Sequence, residues 1–254
     1  MNQTYSAFSE ICTKFYDLVY DPAHVARFVL GTLAPFQLMK SLFIGGFFLV
    51  AHELVRHGLD LTVCDYSDDM VLQGISRLPS TRVMKADLRD LPFENQFDSI
   101  FVIGRVFTHM LTNDDARSAL GSLQRSLKNG GVVFMDNYED SKIRETDYFN
   151  GRITVSNSNI EIVRDSSTEF VSEQPYIVNW SAEYRWKENG RVGHFKDQML
   201  HRAFSRRELA KMLEKNGLTV VTQGDNFDDT SFYTLATKTA LPISHDLNCS
   251  QAVY

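Results

Sequence analysis

Between residues 41 and 136, short apolar runs alternate with stretches of helical periodicity. Residues 41–44 form an apolar run that closes on Gly45-Gly46. Residues 48–57 have a helical pattern, with Gly58 as its stop. Residues 59–65 predict a second strand, and Ser67 is placed to cap a helix through Met70 and Ile75. Residues 81–86 predict a third strand followed by Asp87, and residues 97–103 a fourth that is nearly all apolar. Asn113 is expected to cap a helix to Leu127, closed by Asn129-Gly130-Gly131. Residues 132–135 predict a fifth strand ending at Asp136. Short strands separated by helices predict an α/β protein with a doubly wound parallel sheet. Parallel strands covered by helices are buried on both faces, so Ile100 to Ile103 need not alternate with polar residues.

The pattern differs at the two ends of this block. Upstream, Phe8, Ile11, Phe15, Leu18 and Val19 recur at mixed three and four spacing and predict a helix. Asp21-Pro22 interrupts it, and a second helix follows through Phe28 and Leu33. After Asn137 the period becomes two. Trp180, Ala182, Tyr184 and Trp186 alternate with Ser181, Glu183, Arg185 and Lys187, as in an antiparallel strand with one apolar face. Asn189-Gly190 signals a hairpin, with residues 192–200 returning. Residues 153–155 and 160–163 predict a further strand pair. Ser205 with Glu208 forms a capping box for a helix to Asn216-Gly217, and residues 218–222 and 232–236 predict the last strands. The tail from Leu241 is expected to be disordered.

Composition narrows the function classes. The 254 residues carry a net charge of −6, with 43% hydrophobic and 23% charged residues. No Lys/Arg cluster forms a basic face, so nucleic acid is not an expected partner. Cys12, Cys64 and Cys249 make no CxxC pair and no metal spacing, which favours unpaired thiols in a reducing compartment and no metal. The longest apolar run is about half of what a membrane span needs. No secretory leader is read at the N-terminus, so no membrane partner and a cytoplasmic location are expected.

In an open parallel sheet, ligands bind beyond the carboxyl ends of the strands. The residues there are the candidates. Gly45 and Gly46 allow a ligand close to the backbone, at the start of a helix with free N–H groups. Asp65, followed by Tyr66, can accept two hydrogen bonds from a ribose diol. Asp87-Leu88 can offer a carboxylate or an amide to an adenine edge; the alternative for Asp87 is a cap on the next turn. Gly104, Arg105 and His109 would face the reacting part of the ligand. His109 is the candidate base because its ordinary pKa lies near neutrality. Arg105 could grip a substrate carboxylate or phosphate, or be tied to a neighbouring acid. For His194, His201, Trp180 and Trp186, packing or a subunit interface is favoured over substrate contact.

The order of these features resembles the class I S-adenosylmethionine-dependent methyltransferases. The resemblance is densest in Val63-Cys-Asp-Tyr-Ser, Lys85-Ala-Asp-Leu-Arg-Asp-Leu-Pro-Phe, Phe97-Asp and Leu127-Lys-Asn-Gly-Gly-Val-Val-Phe. It implies a Rossmann-like, mostly parallel seven-stranded sheet with a reversed last strand. It divides the chain into a helical flap over residues 1–34, a core over 35–140 and 204–240, a β-rich lid insertion over 141–203 and a tail over 241–254. The lid is similar to that of glycine and amino-sugar N-methyltransferases. The activity implied is methyl transfer from S-adenosyl-L-methionine to a small-molecule nucleophile, nitrogen slightly before oxygen, with a homo-oligomer through the lid left open.

One motif departs from the family. Where an acidic residue and a GxGxG loop are expected, the chain has Leu42-Phe-Ile-Gly-Gly-Phe-Phe-Leu49. In either alignment one glycine position survives, and the acidic position is Leu42 or Phe43. A bulky ring could fill the space of the cofactor's methionine part, so weak binding, a shifted pose or none is expected. The rival reading is a non-catalytic binding or scaffold protein that kept the fold and lost the cofactor. A nicotinamide-dependent oxidoreductase is disfavoured because GxGxxG is absent.

Overall fold

The computed structural model describes residues 9–36, 38–145 and 150–238. Phe8, Cys249 and the tail read as disordered lie outside them. A seven-stranded sheet contains β1 (Lys40–Ile44), β2 (Asp60–Asp65), β3 (Arg82–Lys85), β4 (Phe97–Val102), β5 (Leu127–Tyr138), β10 (Leu218–Asp225) and β11 (Ser231–Lys238). Its order is β10-β11-β5-β4-β1-β2-β3. The strands from β1 to β5 pair in parallel, while β11 is antiparallel to both its neighbours. This is the doubly wound, mostly parallel sheet with a reversed last strand.

Burial on both faces explains the unbroken apolar strands. Leu42, Ile44, Ile100 and Val102 pack with Ala116, Leu120 and Leu123 of α5 (Asn113–Ser126). Phe43, Phe101 and Ile103 point the other way, against Val25 and Val29 of α2 (Pro22–Thr32) and Phe48, Ala51 and Leu54 of α3 (Phe48–Arg56). The Asp21-Pro22 break is a helix start. The Asp21 carboxylate accepts the N–H groups of Ala23 and His24, and Pro22 occupies the first turn, where no N–H is needed.

Three readings near β5 are corrected. Thr112, not Asn113, caps α5, through a 3.0 Å bond from the Asp115 N–H to its hydroxyl. Asn129-Gly130-Gly131 lies inside β5 and does not close the helix. The β4–β5 register jumps from Phe97↔Leu127 to Ser99↔Val132, and the intervening residues bulge with Gly130 at φ +76°. At its other end β5 continues past Asp136 to Tyr138, because β11 pairs with it as far as Ser231↔Tyr138. Asp136 is therefore an interior strand residue, fully buried.

A separate antiparallel sheet contains β6 (Gly151–Ser156), β7 (Ile160–Glu173), β8 (Tyr176–Glu188) and β9 (Arg191–Arg202), in that order. Its buried face presents Ile162, Trp180, Tyr184, Phe195 and Met199 to Ile11, Cys12 and Phe15 of α1 (Ser9–Val19). Helix α1 thus lies between this sheet and α4 (Asp68–Arg77) of the core, to which Asp17 is tied by Arg77. Among the described residues, no helix is long and apolar enough to cross a membrane.

Candidate functional site

One cavity of about 650 Å³ opens at the carboxyl edge of the sheet. Gly45 and Gly46 line it after β1, and Asp65 and Tyr66 at the end of β2. Asp87 and Leu88 line it beyond β3, and Gly104, Arg105 and His109 beyond β4. All the strand-end candidates therefore face one space, of a size that suits a small organic ligand.

The Asp65 end is built for close approach. Gly45 sits at φ +119°, and a Cβ on it would lie 2.7 Å from both the Ile103 carbonyl oxygen and a Val106 methyl, so only glycine fits. A Cβ on Gly46 would strike the methyl of Met70 and lie 4.0 Å from Asp65 Oδ2. The loop backbone thus passes close to the carboxylate. Asp65 Oδ1 accepts the Ser67 N–H at 2.9 Å. Burial outweighs that bond and raises the Asp65 pKa to about 6.

Asp87 lines the same end but is partly occupied. It accepts the Arg89 N–H at 2.9 Å and the Arg89 guanidinium at 2.6 to 3.1 Å, and Arg89 also reaches Asp115. The carboxylate caps the turn Leu88–Asp90 as well as facing the cavity.

The two phenylalanines of the loop have different fates. Phe48 is fully buried in the core, where a Cβ on Gly74 would lie 2.9 Å from its ring. Phe47 lines the cavity. Its ring lies over Gly104, where a Cβ would be 3.2 Å from two ring carbons, and beside Tyr16 and Tyr20 at 5.9 and 5.6 Å between centroids. Leu42 and Phe43, the positions where an acid is expected, are fully buried apolar residues.

At the Arg105 end the charged groups hold one another. Arg105 has a left-handed backbone, φ +60°. The N–H groups of Gly104 and Arg105 donate to the buried Asp136 carboxylate at 3.2 and 2.7 Å, which holds the backbone in this turn. The Arg105 guanidinium forms an ion pair with Asp228 and donates to the Tyr20 hydroxyl at 3.0 Å. It also lies 5.2 Å from the Tyr20 ring centroid and 5.6 Å from that of Tyr138. Asp228 is held in turn by Thr230 and Ser231. Of the two readings of Arg105, the tie to a neighbouring acid is the one present.

His109 does not titrate near neutrality. Burial alone lowers its pKa to about 4, so the imidazole is neutral in ordinary buffers. His201, from β9, lines the cavity opposite it, with ring centroids 5.3 Å apart. The Thr108 hydroxyl donates to the Arg105 carbonyl at 2.7 Å, so it can only accept from His201 Nδ1 at 3.2 Å. That fixes the His201 tautomer and leaves Nε2 as the acceptor nitrogen. Burial, then the neighbouring His109 and Arg105, hold His201 well below its ordinary pKa. Trp180 and His201 are buried on the inner face of the second sheet, with ring centroids 6.1 Å apart, and both also line the cavity. Phe195, Asp197, Met199 and His201 all fall on the buried face of β9.

Residues 46–131 match a protein-family profile described as Methyltransferase domain. A glycine/sarcosine N-methyltransferase of Parasynechococcus marenigrum is 28% identical over 99 residues, which is 37% of this chain and 35% of that protein. The match thus spans about a third of the relative's length. A solved S-adenosylmethionine-dependent methyltransferase from Clostridium acetobutylicum superposes with TM-score 0.77 at 15% identity, covering 92% of this chain and 98% of that one. The sugar N-methyltransferase KedS8 of a Streptoalloteichus species gives 0.78 at 18%, covering 92% and 94%. The chain carries the class I S-adenosylmethionine-dependent methyltransferase fold, and about a third of it is similar in sequence to a glycine/sarcosine N-methyltransferase.

Proposed function

We propose that the protein is an enzyme that transfers a methyl group from S-adenosylmethionine to a small-molecule nucleophile, with nitrogen slightly preferred over oxygen. The observation that carries this reading is the convergence of Gly46, Asp65 and Leu88 on one end of a single cavity, with Arg105, His109 and His201 at the other. The residues at the first end fit an adenosine. Asp65 would accept from the ribose diol, Gly46 would let the backbone approach, and Asp87-Leu88 would meet the base. When bound, the cofactor supplies a sulfonium that is already a good leaving group, so the protein's task is to align and dehydrate the reactants. The aromatic rings of Tyr16, Tyr20 and Phe47 would exclude water on the α1 side. His109, at a pKa of about 4, is too weak a base to strip an ammonium. The nucleophile must arrive with its lone pair available, and His109 and His201 would accept hydrogen bonds from it and orient it. The preference for nitrogen rests on what the named relatives methylate.

Incubating the purified protein with methyl-labelled S-adenosylmethionine and a panel of small amines, amino acids and hydroxyl compounds tests this. Label in an amine, with S-adenosylhomocysteine released in equal amount, is the expected outcome. Cofactor binding without turnover on any member of the panel would argue against methyl transfer to these classes.

A second reading is a binding or scaffold protein of the same fold. The Phe47 ring over Gly104 and the apolar Leu42 and Phe43 favour it. It requires that neither S-adenosylmethionine nor S-adenosylhomocysteine bind.

A further inference from the structure

We propose that the cavity recognises the adenosine part of its sulfur-linked ligand and is nearly indifferent to the amino-acid tail. The tail-less thioether 5′-methylthioadenosine then binds about as well as S-adenosylhomocysteine. This rests on reading the cavity as an adenosine-cofactor site, and it goes beyond that reading by assigning selectivity within it.

The adenosine end offers a half-buried carboxylate at Asp65 and a glycine backbone beside it. An amino-acid tail brings an ammonium and a carboxylate, each of which needs an opposite partner once removed from water. Among the described residues, the charged groups near the Gly104 end are already engaged with other side chains or amides. At the end of β1 only Ile44 lines the cavity, and the preceding Leu42 and Phe43 are apolar and fully buried. Asp17, the acid of α1 that lines the cavity, is bonded to Arg77. Asp68 and Asp69 lie in the first turn of α4, directly after Asp65, and so belong to the adenosine end. Asp136 and Asp228 are not among the lining residues. One holds the Gly104 and Arg105 amides, and the other pairs with Arg105. The same bonds engage those amides and the Nη2 of the Arg105 guanidinium, which a tail carboxylate would have to share with Asp228 and Tyr20. Finally, the Phe47 ring covers Gly104, the glycine over which a tail leaving the Asp65 ribose toward β4 would have to pass.

Phe47 is therefore the residue that sets the selectivity. Shrinking it opens the Gly104 backbone and gives the tail room, while leaving the Asp65 end untouched. Calorimetric titrations of the full chain with the two nucleosides, near neutral pH, test this. In the unaltered protein their dissociation constants should agree within about threefold. In Phe47→Gly, S-adenosylhomocysteine should tighten by about tenfold and 5′-methylthioadenosine by less than about threefold. Phe47→Ala should move the same way by less, and it carries the test if the glycine variant does not fold. A preference for S-adenosylhomocysteine of about thirtyfold or more in the unaltered protein overturns the proposal. So does an unchanged ratio in both variants. Either result leaves the cofactor reading standing, whereas binding of neither nucleoside overturns both.

Discussion

The two ends of the cavity are made from the same material, the loops that follow parallel strands, yet their charges face different ways. At the Asp65 end the carboxylate is held by a backbone amide and lies beside the Gly46 backbone. At the Arg105 end the guanidinium, two carboxylates and two amides bind each other, and an aromatic ring covers the glycine. The first arrangement keeps hydrogen-bonding capacity for a partner at the cost of burying a charge. The second satisfies its charges internally and gains rigidity. A site can therefore retain half of its recognition chemistry while the other half becomes framework.

The largest effect should come from breaking that framework. Arg105→Met leaves Asp228 buried without its cation, and loss of one partner of a buried pair costs about 3–5 kcal/mol. Urea unfolding should show it as a lower midpoint. Adding Asp228→Asn should recover part of the loss, and an unchanged midpoint in Arg105→Met would mean that the pair holds nothing together.

An intermediate effect should come from pH. Asp65 has a pKa raised to about 6, and under the proposed function only its ionised form would accept both ribose hydroxyls. Affinity for a nucleoside should be full above that value and fall as pH drops through it, by about tenfold per unit well below it. Calorimetry at two pH values on either side of 6 checks the sign. The smallest effect should come from Asp87→Asn. Arg89 already engages that carboxylate, so nucleoside affinity should change by less than about threefold. A loss as large as that from altering Asp65 would make the Asp87 carboxylate a principal ligand contact, against its engagement by Arg89.

How much of this could be read in the sequence follows from what sequence patterns record. The parallel strands were legible because burial on both faces leaves runs such as Ile100 to Ile103 without polar interruption. Their tips could then be listed in order, and the cavity residues with them. The Arg105–Asp228 pair was not legible, because it joins positions 123 residues apart in the chain through a side chain whose direction no periodicity encodes. For the same reason the sequence left open which of Phe47 and Phe48 meets the cavity. One residue of helix phase decides it, and Phe48 takes the core side. The Asp136 carboxylate looked like the end of a strand because the apolar run stops there. The strand continues, because backbone pairing with β11 does not require apolar side chains.

The claim on which all else depends is that Asp65 and the glycine loop form a nucleoside-binding end. A calorimetric titration of the unaltered protein and of Asp65→Ala with S-adenosylhomocysteine tests it most directly. Saturable binding in the unaltered protein, weakened by about 100-fold or more in Asp65→Ala, is the predicted result, since hydrogen bonds to a charged group contribute about 1.5–3 kcal/mol each. Equal affinity in the two proteins, or no heat in either at millimolar ligand, would contradict it.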